Sequence, residues 1–262
     1  MSRGITFPQP VTDTTLPIIR SFDTQIREIA GLSAWFTIRA DKVTIDGSDR
    51  VAAVSCRAGL GTTLSQADAD KRPLFALSQV NGRPGAQYLR SRPDSLRWSG
   101  ALPIGAGAKW TMVGVVSAIP SGQAELWGFM GNNNDGAQMY VSTGGLLKVY
   151  VNRDGSTHAY GNVQVNDGLP HWFVASYDQA AGKISIRVDD NDTESDTFEP
   201  ILTDSGVVYL GVLSTAENTA NAFTGTIPDA LIFSGTDLLA SANAAQLAVI
   251  REYMGSVWGL AA

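Results

Sequence analysis

His171-Trp172-Phe173-Val174-Ala175-Ser176-Tyr177-Asp178, then Gly182, then Ile184-Ser185-Ile186-Arg187-Val188-Asp189, is the stretch on which the fold turns. In its second half Ile184, Ile186 and Val188 alternate with Ser185, Arg187 and Asp189, the period of two that gives a strand one apolar and one wet face. Its first half is rich in aromatic and β-branched residues and ends on an acid before a glycine-bearing connection. Both halves therefore read as strands joined by a turn.

The same signals extend outward. Leu147, Val149 and Val151 alternate with Lys148, Tyr150 and Asn152, while Thr143-Gly144-Gly145 and Arg153-Asp154-Gly155 supply residues that tolerate positive φ. Residues 138–165 are thus expected to form a three-stranded antiparallel meander. Further short strand-like runs fall at 110–119, 125–130, 207–212 and 230–233, separated by Gly, Asn, Asp and Pro. This spacing is that of a two-sheet sandwich or jelly roll.

Two helices frame the strands. Phe22, Ile26 and Ile29 recur at helical spacing, with Ser21 as N-cap and Gly31 just past the end. Leu247, Ile250, Met254 and Val257 do the same near the C-terminus, with Ser241 or Asn243 available as N-cap and Gly255 near the close of the pattern. Pro8, Pro10 and Pro17 disfavour helix in residues 1–20, which read as an extended attachment arm. The expected organisation is an arm and short helix over 1–31, then an all-β, two-sheet antiparallel jelly-roll sandwich with a C-terminal helix over 32–262.

Composition narrows the classes of function. A chain of 262 residues with 44% hydrophobic and 17% charged residues has enough apolar content for one large core. Its net charge of −6, with scattered Lys and Arg, lacks the basic footprint that phosphate neutralisation needs, so no nucleic-acid partner is expected. The pair Lys71-Arg72 reads as a solvated loop. Cys56, the single cysteine, excludes an intrachain disulfide and, in an apolar run, reads as a buried structural thiol. The N-terminus holds no apolar stretch of signal-peptide length, and no segment approaches the roughly 20 apolar residues of a membrane span. Synthesis in the cytoplasm without a signal peptide, and no membrane insertion, are the expectations.

From His171 to the C-terminus the chain resembles the closing half of a laminin-G-like, concanavalin A-like domain. The Trp-led strand ending in Tyr177-Asp178 and its partner strand carry the resemblance, as do Tyr209-Leu210-Gly211, the run from Phe223 to Phe233, and the ending Tyr253-Met254-Gly255-Ser256-Val257-Trp258-Gly259-Leu260. Asp46-Gly47-Ser48, residues 51–55, Lys71-Arg72-Pro73 and Asn81-Gly82-Arg83-Pro84-Gly85 resemble the loop-rich entry of the same module. One departure stands out: relatives often carry an acid before a Ser-Gly turn where this chain has Arg57-Ala58-Gly59.

The resemblance implies a jelly-roll fold of the kind found in bacteriophage and bacterial surface-binding proteins. It implies a phage or phage-like virion structural protein, a tail fibre, spike or decoration protein, resident in the virion and binding host-surface carbohydrate or neighbouring virion subunits. A homo-oligomer is expected. A glycan-active hydrolase and a cellular lectin or adhesion module are the alternatives on the same fold.

An enzyme is not expected. Glycoside hydrolysis needs two carboxylates flanking the bond, and the acidic run from Asp189 to Asp196 lacks the interleaved apolar residues that would fix it on a strand, so it reads as a solvated turn. His158 and His171 lack zinc-site spacing, His171 reading as a strand-start residue, and no Gly-x-Ser-x-Gly elbow occurs. The candidate cofactor is calcium, with Asn133 and Asp135 as ligands in the loop 131–136, a loop that equally suits a hairpin connection. Tyr140, Tyr150 and Asn152 are the candidate ligand-surface residues, on one exposed face of the meander; packing against a neighbouring strand or subunit is the other reading of Tyr150. Trp35, Trp98, Trp110, Trp172 and Trp258 are core candidates, and Trp127 is left open.

Overall fold

The computed structural model describes residues 21–103, 107–119, 122–130, 136–152, 157–198, 205–212 and 221–260; within its strands the side chains of residues 129, 130, 152, 157, 158, 160 and 205 fall outside that description. Its strands begin with β1 (Leu32–Thr37), β2 (Val43–Ile45), β3 (Val51–Ser55), β4 (Thr63–Ser65), β5 (Leu74–Val80), β6 (Arg83–Tyr88) and β7 (Leu96–Pro103). There follow β8 (Lys109–Ala118), β9 (Ala124–Met130), β10 (Gly136–Val141), β11 (Leu146–Asn152) and β12 (Thr157–Gln164). The last are β13 (His171–Asp178), β14 (Lys183–Val188), β15 (Glu194–Thr197), β16 (Ser205–Leu210) and β17 (Gly225–Ser234).

They form two antiparallel sheets. The first runs β15-β14-β13-β8-β17-β6-β5, with β1 also paired to β17. On β17, residues Gly225 to Ile227 pair with β6 and Asp229 to Phe233 pair with β1. Pro228, which has no N–H to donate, sits where the partner changes. The second sheet runs β12-β11-β10-β9-β16-β7-β4-β3-β2. The expected meander is present as β10, β11 and β12, and the stretch quoted at the outset is the β13-β14 hairpin, in which Ser176 opposes Ser185.

Alternation places the core between the sheets. Phe173, Ala175, Tyr177, Ile184, Ile186 and Val188 from the first sheet are fully buried, as are Trp127, Met139 and Val149 from the second. Trp110 and Tyr177 stack with centroids 5.3 Å apart, Tyr177 and Phe198 stack at 5.0 Å, and Trp127 meets Phe173 edge-on at 6.2 Å. Such pairs add about 0.5–1.5 kcal/mol each beyond area burial. The expected tryptophans are all buried, and Trp127 joins them at 1% exposure. Cys56 is buried, its sulfur 3.4 Å from the Trp35 amide.

Several expectations are corrected. The entry segment is not loop-rich: residues 32–103 hold strands β1 to β7, most of them too short or too irregular to announce themselves by alternation. The run 230–233 is the second half of a ten-residue strand. The acidic run is not simply a solvated turn, because Glu194–Thr197 forms β15, an exposed edge strand on β14. Arg72 is not solvated either: it pairs with Asp46 at 3.0 Å and donates to the carbonyls of Gln66 and Ala67.

Both helices form. Helix α1 (Phe22–Arg27) is capped by Ser21, whose side chain accepts from the Thr24 amide. Helix α2 (Ala244–Trp258) starts at Asn243, preceded by a 3-10 turn, and neither Ser241 nor Asn243 supplies the expected side-chain cap. Gly259, not Gly255, closes it, in the left-handed conformation at φ 64° that favours glycine. Ile250, Tyr253, Met254 and Trp258 form its buried face.

Candidate functional site: the two outer faces

Each sheet has one face on the core and one turned outward, and the outward faces differ in chemistry. On the first sheet the outward row includes Thr111, Val113 and Val115 of β8, Trp172 and Val174 of β13, and Leu231 and Phe233 of β17, all with 0% exposure. Residues 236–238 and α2 lie over it: Thr111 donates to the Thr236 carbonyl at 2.8 Å and accepts from the Leu238 amide at 3.0 Å.

Asp229 fastens this cover. It is 1% exposed on β17 and every contact it makes is with a donor: Trp35 Nε1 at 3.2 Å, Thr37 Oγ1 at 3.0 Å, Trp258 Nε1 at 2.8 Å, the Ala230 amide at 3.1 Å and, by a short bond, the Tyr253 hydroxyl. Burial pushes its carboxyl upward while these bonds and the Arg57 charge oppose that rise. Burial beside Asp229 pushes the Tyr253 phenol well up. Arg57 completes the cluster, lying 4.1 Å over the Trp35 ring, donating to Tyr253 Oη at 3.2 Å and pairing with Asp23 of α1. One carboxylate and one guanidinium thus join β1, β17, α1 and α2. The Asp229 carboxylate is sealed from solvent, and the cluster acts as a fastening.

His171 opens β13 as expected, and it is more than a strand-start residue. Its Nδ1 lies 2.7 Å from Asp189 Oδ2 and its Nε2 3.1 Å from Asp167 Oδ1. Asp189 Oδ1 also accepts from the Trp172 amide, and Asp167 Oδ1 from the Leu169 amide. Burial lowers the imidazole pKa, but the two carboxylates outweigh it and the net shift is upward.

Among the described residues, no helix lies on the outward face of the second sheet. There a single row crosses every strand: Thr44 opposes Ala53, Ala53 opposes Ser65, and Ser65 opposes Arg97. Arg97 then opposes Tyr209, Tyr209 opposes Gly128, Gly128 opposes Gln138, and Gln138 opposes Tyr150, whose partner on β12 is residue 158. Thr44, Ser65 and Arg97 are exposed, and Tyr209, Gln138 and Tyr150 are half-buried. The carbonyl oxygen of the Gln138 side chain is buried without a hydrogen-bond partner among the described residues. In the neighbouring row a bulge in β9 sets Glu125 opposite Tyr140, and Tyr140 opposes Lys148, whose ammonium lies 5.7 Å from the Tyr140 ring centroid.

The candidate ligand-surface residues therefore share one face by register, with Asn152 opposite Gly136 and its side chain outside the described residues. Tyr140 corrects the expectation of exposure: it is 7% exposed. The loop 131–135, with Asn133 and Asp135, lies outside the described residues. Among the described residues no group of three or more His, Cys, Asp or Glu is placed to hold a metal ion. Arg97, Tyr209 and Gln138 were not found from sequence, because only the pairing of distant strands brings them together. Asp229 had a signal, as a lone acid inside an apolar strand, and Arg57 had one as the departure from the family pattern.

No family model matches the chain, and no curated protein does. Among solved structures it is similar to the binding domain of Paraclostridial Mosquitocidal Protein 1, at 8% identity and a TM-score of 0.57, over 79% of this chain and 49% of that one. It is also similar to a Trypanosoma rangeli sialidase, at 12% identity and a TM-score of 0.51, over 90% of this chain and 38% of the sialidase. The match to mouse laminin alpha1 domains LG4-5 has 20% identity and a TM-score of 0.39, covering 51% of this chain and 38% of that one. The chain thus spans half or less of the length of each of these proteins. Its fold is a two-sheet antiparallel jelly-roll sandwich.

Proposed function

We propose that the chain is a non-catalytic glycan-binding module whose ligand lies on the outward face of the second sheet. The observation that carries this reading is the row from Thr44 to Tyr150, in which hydroxyl, guanidinium, phenol and amide groups, with Ala53 and Gly128 between them, lie on one face across the strands. A sugar presents apolar C–H faces and a rim of hydroxyls, and tyrosine rings beside amides match both.

A glycan array of the purified chain, repeated with Tyr150→Ala, tests the proposal. Specific signals that weaken about tenfold in the variant are expected, at unchanged far-ultraviolet circular dichroism. An array on which the chain binds nothing overturns the reading. Release of reducing ends from a bound glycan would overturn its non-catalytic part. Placement on a phage particle, as tail fibre, spike or decoration, is the sequence-based part of the proposal; finding the chain in purified particles of its source is the expected outcome, and its absence there removes that part.

A further inference from the structure

Resting on that reading, we propose that the ligand is an extended, carboxylate-bearing polysaccharide, recognised by Arg97 of β7 and, in the neighbouring row, by Lys148 of β11. Arg97 is exposed on β7 and, among the described residues, makes no hydrogen bond, ion pair or ring contact. In this it differs from the other described arginines. Those are tied to a carboxylate, as Arg39, Arg57, Arg72, Arg92, Arg187 and Arg251 are, to a backbone carbonyl, or to a ring.

In a chain that carries a net charge of −6, Arg97 is, among the described residues, the arginine whose guanidinium stands open, beside Tyr209 on the outward face of the second sheet. The planar fork of that group matches a carboxylate with two parallel hydrogen bonds. Lys148 supplies a second cation, set against the Tyr140 ring. Four inter-strand steps separate β7 from β11, through β16, β9 and β10. At roughly 4.8 Å per step the cations are on the order of 19 Å apart, too far for one sugar and suited to a chain laid across the strands. The half-buried Tyr209 and Gln138 lie on strands between them, and Tyr150 stands on β11 two residues from Lys148.

Binding of the full chain to polygalacturonate, to the same polymer with its carboxyls reduced to alcohols, and to 3′-sialyllactose separates the possibilities, measured by calorimetry at low and raised salt. Polygalacturonate is expected to bind and to weaken as salt rises, with the reduced polymer at least tenfold weaker. Arg97→Gln is expected to lose tenfold or more, and Arg97→Lys to recover part of it, with Tm unchanged because the side chain is exposed. Equal binding of the reduced polymer, or no effect of Arg97→Gln on an acidic ligand, overturns the carboxylate assignment while the glycan reading stands. Binding of sialyllactose without polygalacturonate overturns the extended chain. If none of the three binds and the array is also empty, the glycan reading itself falls.

Discussion

The two outward faces start from the same strand alternation and end in opposite chemistry. On the first sheet the outward positions of β8 and β13 from Thr111 to Val115 and Trp172 to Ser176, and of β17 from Asp229 on, are buried and apolar apart from Thr111, Ser176 and Asp229, and α2 and the 236–238 segment lie over them. On the second the outward row carries Thr, Ser, Arg, Tyr and Gln with Ala53 and Gly128 among them, and no helix of the described residues crosses it. A face becomes a third layer of packing or a surface for a partner according to which side chains alternate outward. The difference also sorts the polar groups: those of the first face have their partners inside the protein, whereas Arg97 has none among the described residues.

The largest effect should come from breaking the fastening. Asp229→Ala removes the acceptor of four side-chain donors and leaves Arg57 buried without it, a loss expected to cost about 3–5 kcal/mol by urea denaturation. Tyr253→Phe deletes one hydroxyl of the same cluster and should cost about 1–3 kcal/mol. If Asp229→Ala melted within 1 kcal/mol of the wild type, the contrast between a fastened face and an open one would not hold.

Next in size are substitutions on the open face, which should separate binding from stability. Tyr209→Ala is expected to weaken glycan binding about tenfold, near 1.4 kcal/mol, while unfolding free energy changes by less than about 1 kcal/mol, because the ring is half-buried and leaves no sealed cavity. A variant that lost stability and kept affinity would make this face a packing surface after all.

How much of this was legible depended on sequence separation. The β13-β14 hairpin and the 138–165 meander were readable because their partners are neighbours in the chain and their alternation is regular. The strands before residue 104 were not, since β2 and β4 have three residues each, too few to show alternation, and β1 and β6 pair with β17 more than 130 residues away. The candidate face was half legible: Tyr150 followed from local alternation, but Tyr209 and Arg97 come to it only through the pairing of β16 with β7 and β9. Tyr140 was misjudged because alternation reports which way a side chain points, not what then covers it. The role of Arg57 required α1, α2 and β1 to be in place at once.

The smallest effect lies at the rim of the covered face, and pH reads it. His171 bridges Asp167 in the loop before β13 and Asp189 after β14; Arg187 and Arg251 meet the adjacent Asp190 at 3.6 and 2.7 Å. Burial lowers the imidazole pKa, the two carboxylates raise it further than that, and it ends above its ordinary 6.5. A histidine whose pKa rises on folding adds stability that is complete below the unfolded value and is lost as pH rises through the folded one. Asp167 is shifted the opposite way, so its contribution holds above its ordinary range and is lost only in acid. Tm should therefore be flat between about pH 5 and pH 6 and decline by a few degrees as the imidazolium deprotonates above that. His171→Gln should start lower and lose this decline, while ligand binding on the open face keeps its pH profile. A pH-dependent loss of glycan affinity that tracked His171 would mean that the two faces are coupled, and the separation drawn between them would have to be abandoned.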